Sequence, residues 1–213
     1  MSAGSTNRAG AGKPGPVENY YRWHARIYDA TRWSFLFGRS AILADLAALK
    51  TPVRILEVGC GTGKNLAGLC RRFPNAAITG LDLSAPMLEV ARRKLAPFGS
   101  RVGFLHRAYE APLGDLTGYD LVLFSYALTM FNPGFETAIQ AASADLAPGG
   151  CIAVVDFHAT RFRFFERWMG VNHVRMNGQL RPLLQSTYQP LLDRVDHAYG
   201  GVWQYLMFVG RKK

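Results

Sequence analysis

The chain has 213 residues, 49% of them hydrophobic, and a formal net charge of +10. This size predicts one domain with a substantial core, and no apolar run reaches the roughly 18–20 residues that a membrane-spanning helix requires. Three cysteines without a CxxC pair favour free thiols in a reducing cytoplasm, and we expect no metal site.

The excess of positive over negative residues is confined to the two ends of the sequence. Residues 51–156 carry nine Lys or Arg and nine Asp or Glu, whereas residues 1–50 carry seven against three and residues 157–213 carry nine against three. A basic excess is typical of proteins that contact nucleic acid or anionic membranes, and also of ordinary solvated surfaces. We expect no nucleic-acid partner, because the sequence shows neither an RNA-binding module nor a lysine-rich arm.

The first fifty residues contain a tail and a predicted helix. Residues 1–16 are rich in Gly, Ala, Ser and Pro, have no apolar block that could act as a secretory signal, and are predicted to be disordered. Residues 17–39 place apolar side chains on one helical face, which predicts an amphipathic helix within a lid and substrate region at 17–50. These apolar residues are Tyr20, Trp23, Ile27 and Tyr28.

Residues 51–157 alternate short apolar runs with helical patterns, which is typical of a doubly wound α/β sheet. We assign them to the ligand-binding core of a single domain at 17–213. The predicted strands are 54–58, 77–82, 102–106, 121–126 and 151–157, and the predicted helices are 64–73, 85–95 and 135–146.

Residues 158–213 are predicted to form a second substrate region and the last strands. Aromatic residues and arginines interleave over 161–169, and Val, Trp, Tyr and Phe are frequent over 201–211, which predicts a final strand. Basic amphipathic segments with aromatic side chains are typical of surfaces that dock on anionic membranes. Ordinary packing explains the same aromatic residues equally well.

A glycine-rich loop follows the first predicted strand. Residues 57–63 read EVGCGTG, with Gly59, Gly61 and Gly63 where the chain must turn sharply and approach a ligand without Cβ atoms in the way. Asp82 ends the next strand, a position from which a carboxylate accepts hydrogen bonds from two ribose hydroxyls. The pattern therefore predicts a nucleoside-containing ligand at this edge of the sheet.

Two nucleotide-binding motifs do not fit this loop. A dinucleotide fingerprint that starts at Gly59 requires glycine where Lys64 stands, and a P-loop requires glycine where Val58 stands. Glu57 would repel a pyrophosphate but suits a cationic ligand. A purely structural glycine turn remains the alternative.

The loop together with Asp82 resembles the class I S-adenosylmethionine-dependent methyltransferases over residues 54–157. The resemblance implies a Rossmann-like, doubly wound, mostly parallel seven-stranded sheet with an N-terminal lid helix. It implies S-adenosylmethionine as the cofactor and S-adenosylhomocysteine as its product. The implied cofactor contacts are Glu57, Gly59, Cys60, Gly61 and Gly63 at the methionine part, Asp82 at the ribose, Leu83 and Met87 at the adenine, Ser125 facing the transferable methyl group, and Tyr28 on the lid.

The two basic ends carry a second resemblance, which concerns the methyl acceptor. Residues 20–32 and 37–39 are similar to bacterial diacylglyceryl-homoserine N-methyltransferases of betaine-lipid synthesis and, next, to phosphatidylethanolamine N-methyltransferases. Residues 167–176 and 199–203 are similar to the betaine-lipid group in particular. This implies repeated N-methylation of a lipid amine to a trimethylated betaine lipid. A quinone-type C-methyltransferase and a non-catalytic S-adenosylmethionine-binding module remain alternatives.

A lipid acceptor leads to further expectations about residues and place. Tyr21, Tyr126 and His158 are predicted to orient the amine and accept its proton, since a phenol can hydrogen-bond the amine and a histidine can take the proton. Asn172, His173 and Arg175 are predicted to contact the headgroup, with Arg175 on the homoserine carboxylate. We expect a cytoplasmic enzyme that associates peripherally with the inner, anionic face of the membrane; the oligomeric state is not predicted.

Overall fold

A computed structural model describes residues 36–49, 51–131, 133–171 and 174–213. Its helices are α1 (Arg39–Leu49), α2 (Lys64–Arg72), α3 (Ala85–Leu95), α4 (Phe135–Asp145), α5 (Arg163–Val171) and α6 (Leu180–Thr187). Its strands are β1 (Arg54–Val58), β2 (Ala77–Asp82), β3 (Val102–His106), β4 (Tyr119–Ser125), β5 (Leu146–Ala159), β6 (Tyr188–Ala198) and β7 (Trp203–Lys212). None of the described helices is both long and apolar enough to cross a bilayer.

The seven strands form one sheet in the order β3-β2-β1-β4-β5-β7-β6. Strands β1 to β5 pair in parallel, and β7 pairs antiparallel with both β5 and β6. The predicted Rossmann-like, mostly parallel seven-stranded sheet is therefore confirmed. The direction of strand order reverses between β1 and β4, and open α/β sheets bind their ligands in the crevice at such a reversal.

Helices cover both faces of the sheet, which explains why the central strands are apolar without alternation. In β1, Ile55 belongs to the core cluster that includes α1 and α2 residues, whereas Leu56 belongs to the cluster that includes α4 and α6 residues. In β4, Leu123 and Phe124 divide between the same two clusters. Strands buried on both faces read as continuous apolar runs, and the sequence has that pattern here.

The first described residues correct part of the predicted N-terminal helix. Residues 36–38 are not helical, Gly38 has a φ of +79°, and α1 begins only at Arg39. A left-handed glycine ends a helix rather than continuing it, so the segment predicted as one helix over 17–39 does not reach its predicted end. The rest of that segment and the tail at 1–16 lie outside the described residues.

Candidate functional site

A cavity of about 800 Å³ lies at the carboxyl ends of β1, β2 and β4. Its walls come from the glycine loop, the end of β2, the segment after β3, the segment after β4, and the start of α1. The volume is within the range of small-molecule and cofactor sites, and the position is the crevice at the reversal of strand order.

The three loop glycines have φ values of 72°, 54° and 74°, in the left-handed region, but each is needed for a different contact. A Cβ at Gly59 would lie 2.8 Å from the Cβ of Ala127, and one at Gly63 would lie 2.9 Å from Leu95. A Cβ at Gly61 would meet only the sulfur of Met87, at 3.8 Å. Gly61 therefore leaves open space on the cavity wall, where a side chain would compete with a ligand.

Asp82 holds the loop in shape. Its Oδ2 accepts a hydrogen bond from the Gly61 N–H at 2.7 Å, and its Oδ1 accepts one from the Ser84 N–H at 2.8 Å. Ser84 in turn caps α3, because its hydroxyl accepts from the Met87 N–H. Since each carboxylate oxygen has more than one lone pair, Asp82 retains acceptor capacity towards a ribose in the cavity that it lines.

Glu57 lies behind the loop rather than on the cavity wall. It is 1% exposed, its Oε1 accepts from the Asn65 amide at 2.8 Å, and its Oε2 has no hydrogen-bond partner in the described structure. Burial raises the pKa of Glu57 to about 7, although the Asn65 hydrogen bond and the charge of Arg39 oppose this shift. A buried carboxyl group with an unused oxygen favours a cationic group nearby, as the ammonium group of a bound methionine moiety would be.

Tyr126 follows β4 in a strained conformation. Its φ is 56°, which is uncommon for a residue with a side chain. Three interactions hold it: its N–H donates to Val155 at 2.7 Å, its hydroxyl donates to the Phe37 carbonyl at 2.7 Å, and its ring packs edge-on against Phe157. Such strain is found at functional sites where neighbours enforce it, and Tyr126 lines the cavity.

Arg39 is a site residue that the sequence analysis missed. Its Nε donates to the Ser125 hydroxyl at 3.1 Å, its guanidinium carbon lies 5.9 Å from the centre of the Tyr126 ring, and it lines the cavity. Arg39 therefore places a positive charge near Glu57, so that an anionic and a cationic side chain lie together beside the loop. This pair is complementary to a zwitterionic amino acid moiety.

Most of the predicted cofactor residues lie together at the cavity. The predicted residues in its wall are Gly59, Cys60, Gly61, Asp82, Leu83, Met87 and Ser125, whereas Glu57 and Gly63 do not line it. Leu83 is 71% exposed, and a flat adenine ring packed on it would shield this apolar side chain from water. Four predicted residues lie outside the described structure: Tyr21, Tyr28, Asn172 and His173.

The structure does not bring His158 to the cavity. Its neighbour Phe157 packs on Tyr126, whereas the His158 ring lies against Gly178, with Arg181 and Asp193 close enough to influence its pKa. The pairing of β5 with β7 shifts register between Phe157 and Ala159, and His158 is not part of the cavity wall. Burial lowers the pKa of His158, but its prediction as the group that accepts the proton of the acceptor amine is not supported by its place.

Arg175 also lies away from the cavity, contrary to its predicted contact with the headgroup. Its N–H donates to the Thr129 carbonyl at 3.1 Å, and its side chain is exposed beside a separate small pocket. Within the described part of the chain, no group of three His, Cys, Asp or Glu side chains is arranged to hold a metal ion.

The fold is the Rossmann-like α/β fold of S-adenosylmethionine-dependent methyltransferases, and the glycine-loop site is similar to theirs. Residues 55–150 match the family model described as a methyltransferase domain. The solved structure of 1,6-didemethyltoxoflavin-N1-methyltransferase from Burkholderia thailandensis, which contains S-adenosylhomocysteine, has this fold: it aligns with a TM-score of 0.68 and 20% identity over 96% of this chain and 93% of that chain. The predicted cofactor, S-adenosylmethionine, is supported by these matches and by the fit of Gly61, Asp82 and Glu57 to it.

Curated relatives act on different acceptors. Trans-aconitate 2-methyltransferase of Methylobacterium nodulans is 35% identical over 131 residues, which are 60% of this chain and 48% of that protein. Demethylmenaquinone methyltransferase of Thermus thermophilus is 38% identical over 114 residues, which are 53% of this chain and 51% of that protein. The chain thus spans about half the length of the curated relatives that it matches.

Proposed function

We propose that the protein transfers methyl groups from S-adenosylmethionine to the amine of a lipid headgroup, with diacylglyceryl-homoserine as the first candidate and phosphatidylethanolamine as the second. The observation that carries the choice of a lipid is the set of apolar residues in the cavity wall, namely Leu36, Met130, Phe131 and Pro133. The cofactor end of the same cavity is the glycine loop.

The cofactor end has a group for each part of S-adenosylmethionine. Asp82 lines the cavity where the ribose belongs, and Leu83 and Met87 lie beyond it where the adenine belongs. Arg39 and Glu57 supply opposite charges for the carboxylate and the ammonium group of the methionine moiety. Bound there, the cofactor supplies an electrophilic methyl group on a sulfonium.

The acceptor end is mainly apolar. Leu36, Met130, Phe131 and Pro133 line it together with the Tyr126 ring. An apolar wall excludes water from around an amine, and a desolvated amine is a better nucleophile. The same wall suits the glycerol and first acyl carbons of a lipid, whereas a small polyanion would leave it uncovered.

Tyr126 is placed to orient the amine but not to remove its proton. Burial raises the pKa of the Tyr126 phenol, and the phenol proton is already donated to the Phe37 carbonyl. The phenolic oxygen still accepts a hydrogen bond, so it can direct an amine N–H and align the nitrogen lone pair for in-line attack. One proton leaves the nitrogen for each methyl group that is added, and we propose that bulk water receives it before the amine enters the apolar end of the cavity.

Quinone-type C-methylation is the second candidate function. Both the identity to the demethylmenaquinone methyltransferase and the apolar acceptor end favour it. A quinol is also a membrane-held substrate, but a carbon nucleophile would not need an amine-orienting acceptor such as the Tyr126 oxygen.

Product analysis tests the proposal and separates its alternatives. The full chain is incubated with isotope-labelled S-adenosylmethionine and a bacterial lipid extract supplemented with diacylglyceryl-homoserine, and labelled products are identified by mass spectrometry. Label on homoserine lipid supports the first candidate, label on phosphatidylethanolamine the second, and label on a quinol the C-methyltransferase. Label on trans-aconitate or another water-soluble acid in a parallel incubation, with none on lipid, would overturn the lipid acceptor. Absence of S-adenosylmethionine binding by calorimetry would overturn the enzyme class.

A further inference from the structure

Helix α5 presents an apolar ridge to solvent in addition to the side that packs on the core. Phe165 and Met169 are buried, four residues apart. Phe164, Trp168 and Val171 follow the i, i+4, i+7 spacing of a neighbouring helical face, and Phe164 and Val171 are 83% and 81% exposed. Because soluble proteins rarely expose contiguous apolar surface, a row of this kind indicates a contact surface.

The charges around this ridge are nearly all positive. Arg163 and Arg167 lie four residues apart on α5, Arg161 precedes the helix, and Glu166 is the single acidic residue of α5. The exposed Phe162 lies between two of these arginines. An apolar row flanked by arginines is complementary to a surface with negative charge outside and hydrocarbon beneath.

The ridge is connected to the acceptor end of the cavity by packed aromatic rings. Phe165 stacks on Trp203 with ring centres 5.1 Å apart, and Phe37 packs edge-on against Trp203 at 6.0 Å. The Phe37 carbonyl accepts the hydrogen bond of the Tyr126 hydroxyl on the cavity wall. Helix α5 and the acceptor end of the cavity therefore belong to one packed unit.

We propose that α5, together with Phe162, is the surface by which the protein docks on an anionic lipid bilayer. Phe164, Trp168 and Val171 insert among the headgroups and upper acyl carbons, while Arg163 and Arg167 contact lipid phosphates. The inference rests on the proposed function in one respect, since a lipid acceptor gives the protein a reason to dock on a bilayer. Its test does not require turnover.

The test is flotation of the full chain with vesicles of phosphatidylglycerol and phosphatidylcholine in equal parts, and with vesicles of phosphatidylcholine alone. The wild type is expected to bind the anionic vesicles and to lose binding as salt rises. Arg163→Gln/Arg167→Gln should lower the partition coefficient about 25-fold, at about fivefold for each arginine near the surface. The control variant Arg71→Gln/Arg93→Gln removes the same charge from exposed positions far from α5 in the sequence and should change the partition coefficient little.

The apolar ridge is tested in the same way. Phe164→Ser/Val171→Ser should lower binding roughly tenfold or more, because two apolar side chains no longer leave water on docking. Val53→Ser/Leu116→Ser is the matched control, since both residues are exposed apolar side chains outside α5. Thermal unfolding and S-adenosylmethionine affinity, measured on every variant, should match the wild type.

Several results would overturn the docking surface without bearing on catalysis. The docking surface would be overturned if the wild type did not bind anionic vesicles. It would also be overturned if the α5 variants bound them as well as their control variants. If the α5 variants float normally but no longer bind an RNA oligonucleotide, or no longer associate with a second copy of this chain, the ridge is the contact surface for that partner instead. Normal flotation with no methylated lipid would leave the docking surface in place and overturn the lipid acceptor alone.

Discussion

Glu57 illustrates how a buried residue can respond to a ligand that it does not face directly. Its pKa is raised to about 7 by burial, so near neutral pH the carboxyl group is only partly ionised before a cofactor binds. The positive charges of S-adenosylmethionine favour the ionised form. Binding of the cofactor and loss of the Glu57 proton are therefore linked.

The linkage predicts a pH-dependent cofactor affinity. Between about pH 5.5 and 7 the dissociation constant for S-adenosylmethionine should fall as pH rises, by up to about tenfold per pH unit, because the ligand prefers the ionised carboxylate. Above pH 7 the contribution of Glu57 should level off. Titration calorimetry across this range measures the dissociation constant. The Glu57→Gln variant should remain folded, and its affinity should no longer depend on pH. An equal pH dependence in the Gln variant would attribute the effect to the ligand's own amine.

Gly61 and Gly99 provide a matched pair for the steric role of the loop. Both have positive φ, 54° and 62°, and a Cβ at Gly99 would meet nothing within 4 Å. Gly61→Ala should cost about 1–2 kcal/mol of stability because of its positive φ, and Gly99→Ala about 1–3 kcal/mol, because a ψ of −145° at positive φ is open almost only to glycine. Only Gly61→Ala should weaken S-adenosylmethionine binding, by at least about tenfold, since only its Cβ enters the cavity. Equal affinities of the two variants would show that the cofactor does not approach Gly61.

At the scale of elements, strand ends were predictable where a polar or glycine residue stops an apolar run. Strands β1, β2 and β3 have the predicted ends because each apolar run stops at a polar or glycine residue next to a loop. Strand β6 was not predicted: it lies at the sheet edge, contains Pro190, and bears Asp193, Arg194 and Asp196, so its burial is partial and its pattern weak.

The same reasoning explains which site residues were predictable. The glycine loop and Asp82 lie within one βαβ unit, so their spacing alone identifies the site. Arg39 reaches the cavity because α1 packs beside Ser125, 86 residues away in sequence, and no local pattern reports that contact. The place of His158 was not predictable, because the pairing of β5 with β7 shifts register between Phe157 and Ala159 and strand alternation does not hold there.

Gly210 lies in β7, between β5 and β6, where the structure leaves no room for a side chain. A Cβ there would lie 2.6 Å from the Phe208 ring and 2.7 Å from the Cβ of Tyr188. Gly210→Ala should therefore lower the free energy of unfolding by about 1–3 kcal/mol in urea denaturation. Gly103→Ala in β3, where a Cβ meets nothing within 4 Å, is the control and should be neutral or slightly stabilising. Equal stability of the two variants would mean that β6 and β7 separate at little cost.

At the scale of the whole molecule, the charge distribution and the core act against each other as pH changes. The chain carries +10 at neutral pH and becomes more positive in acid, which destabilises the compact state through self-repulsion. Two fully buried carboxyl groups act in the opposite direction. Burial raises the pKa of Glu57 to about 7 and that of Asp156 to about 6, so the folded state holds protons that the unfolded chain releases.

The last prediction isolates the contribution of Glu57 to stability. Its pKa is raised from 4.5 to about 7 on folding, so the folded state binds the proton more tightly than the unfolded chain does. Relative to Glu57→Gln, the wild type should therefore lose stability as pH rises from about 4.5 to about 7, and the loss should be complete above that range. The full difference is on the order of 3 kcal/mol. Urea denaturation of both proteins at pH 5 and pH 8 measures this difference, and the self-repulsion of the other charges cancels in the comparison.

Saturating S-adenosylmethionine at pH 8 should restore the stability of the wild type relative to the variant, because the ligand supplies the positive charge that the buried carboxylate lacks. A wild type that gains stability over the variant between pH 5 and pH 8 without ligand would show that Glu57 is already ionised and neutralised by Arg39.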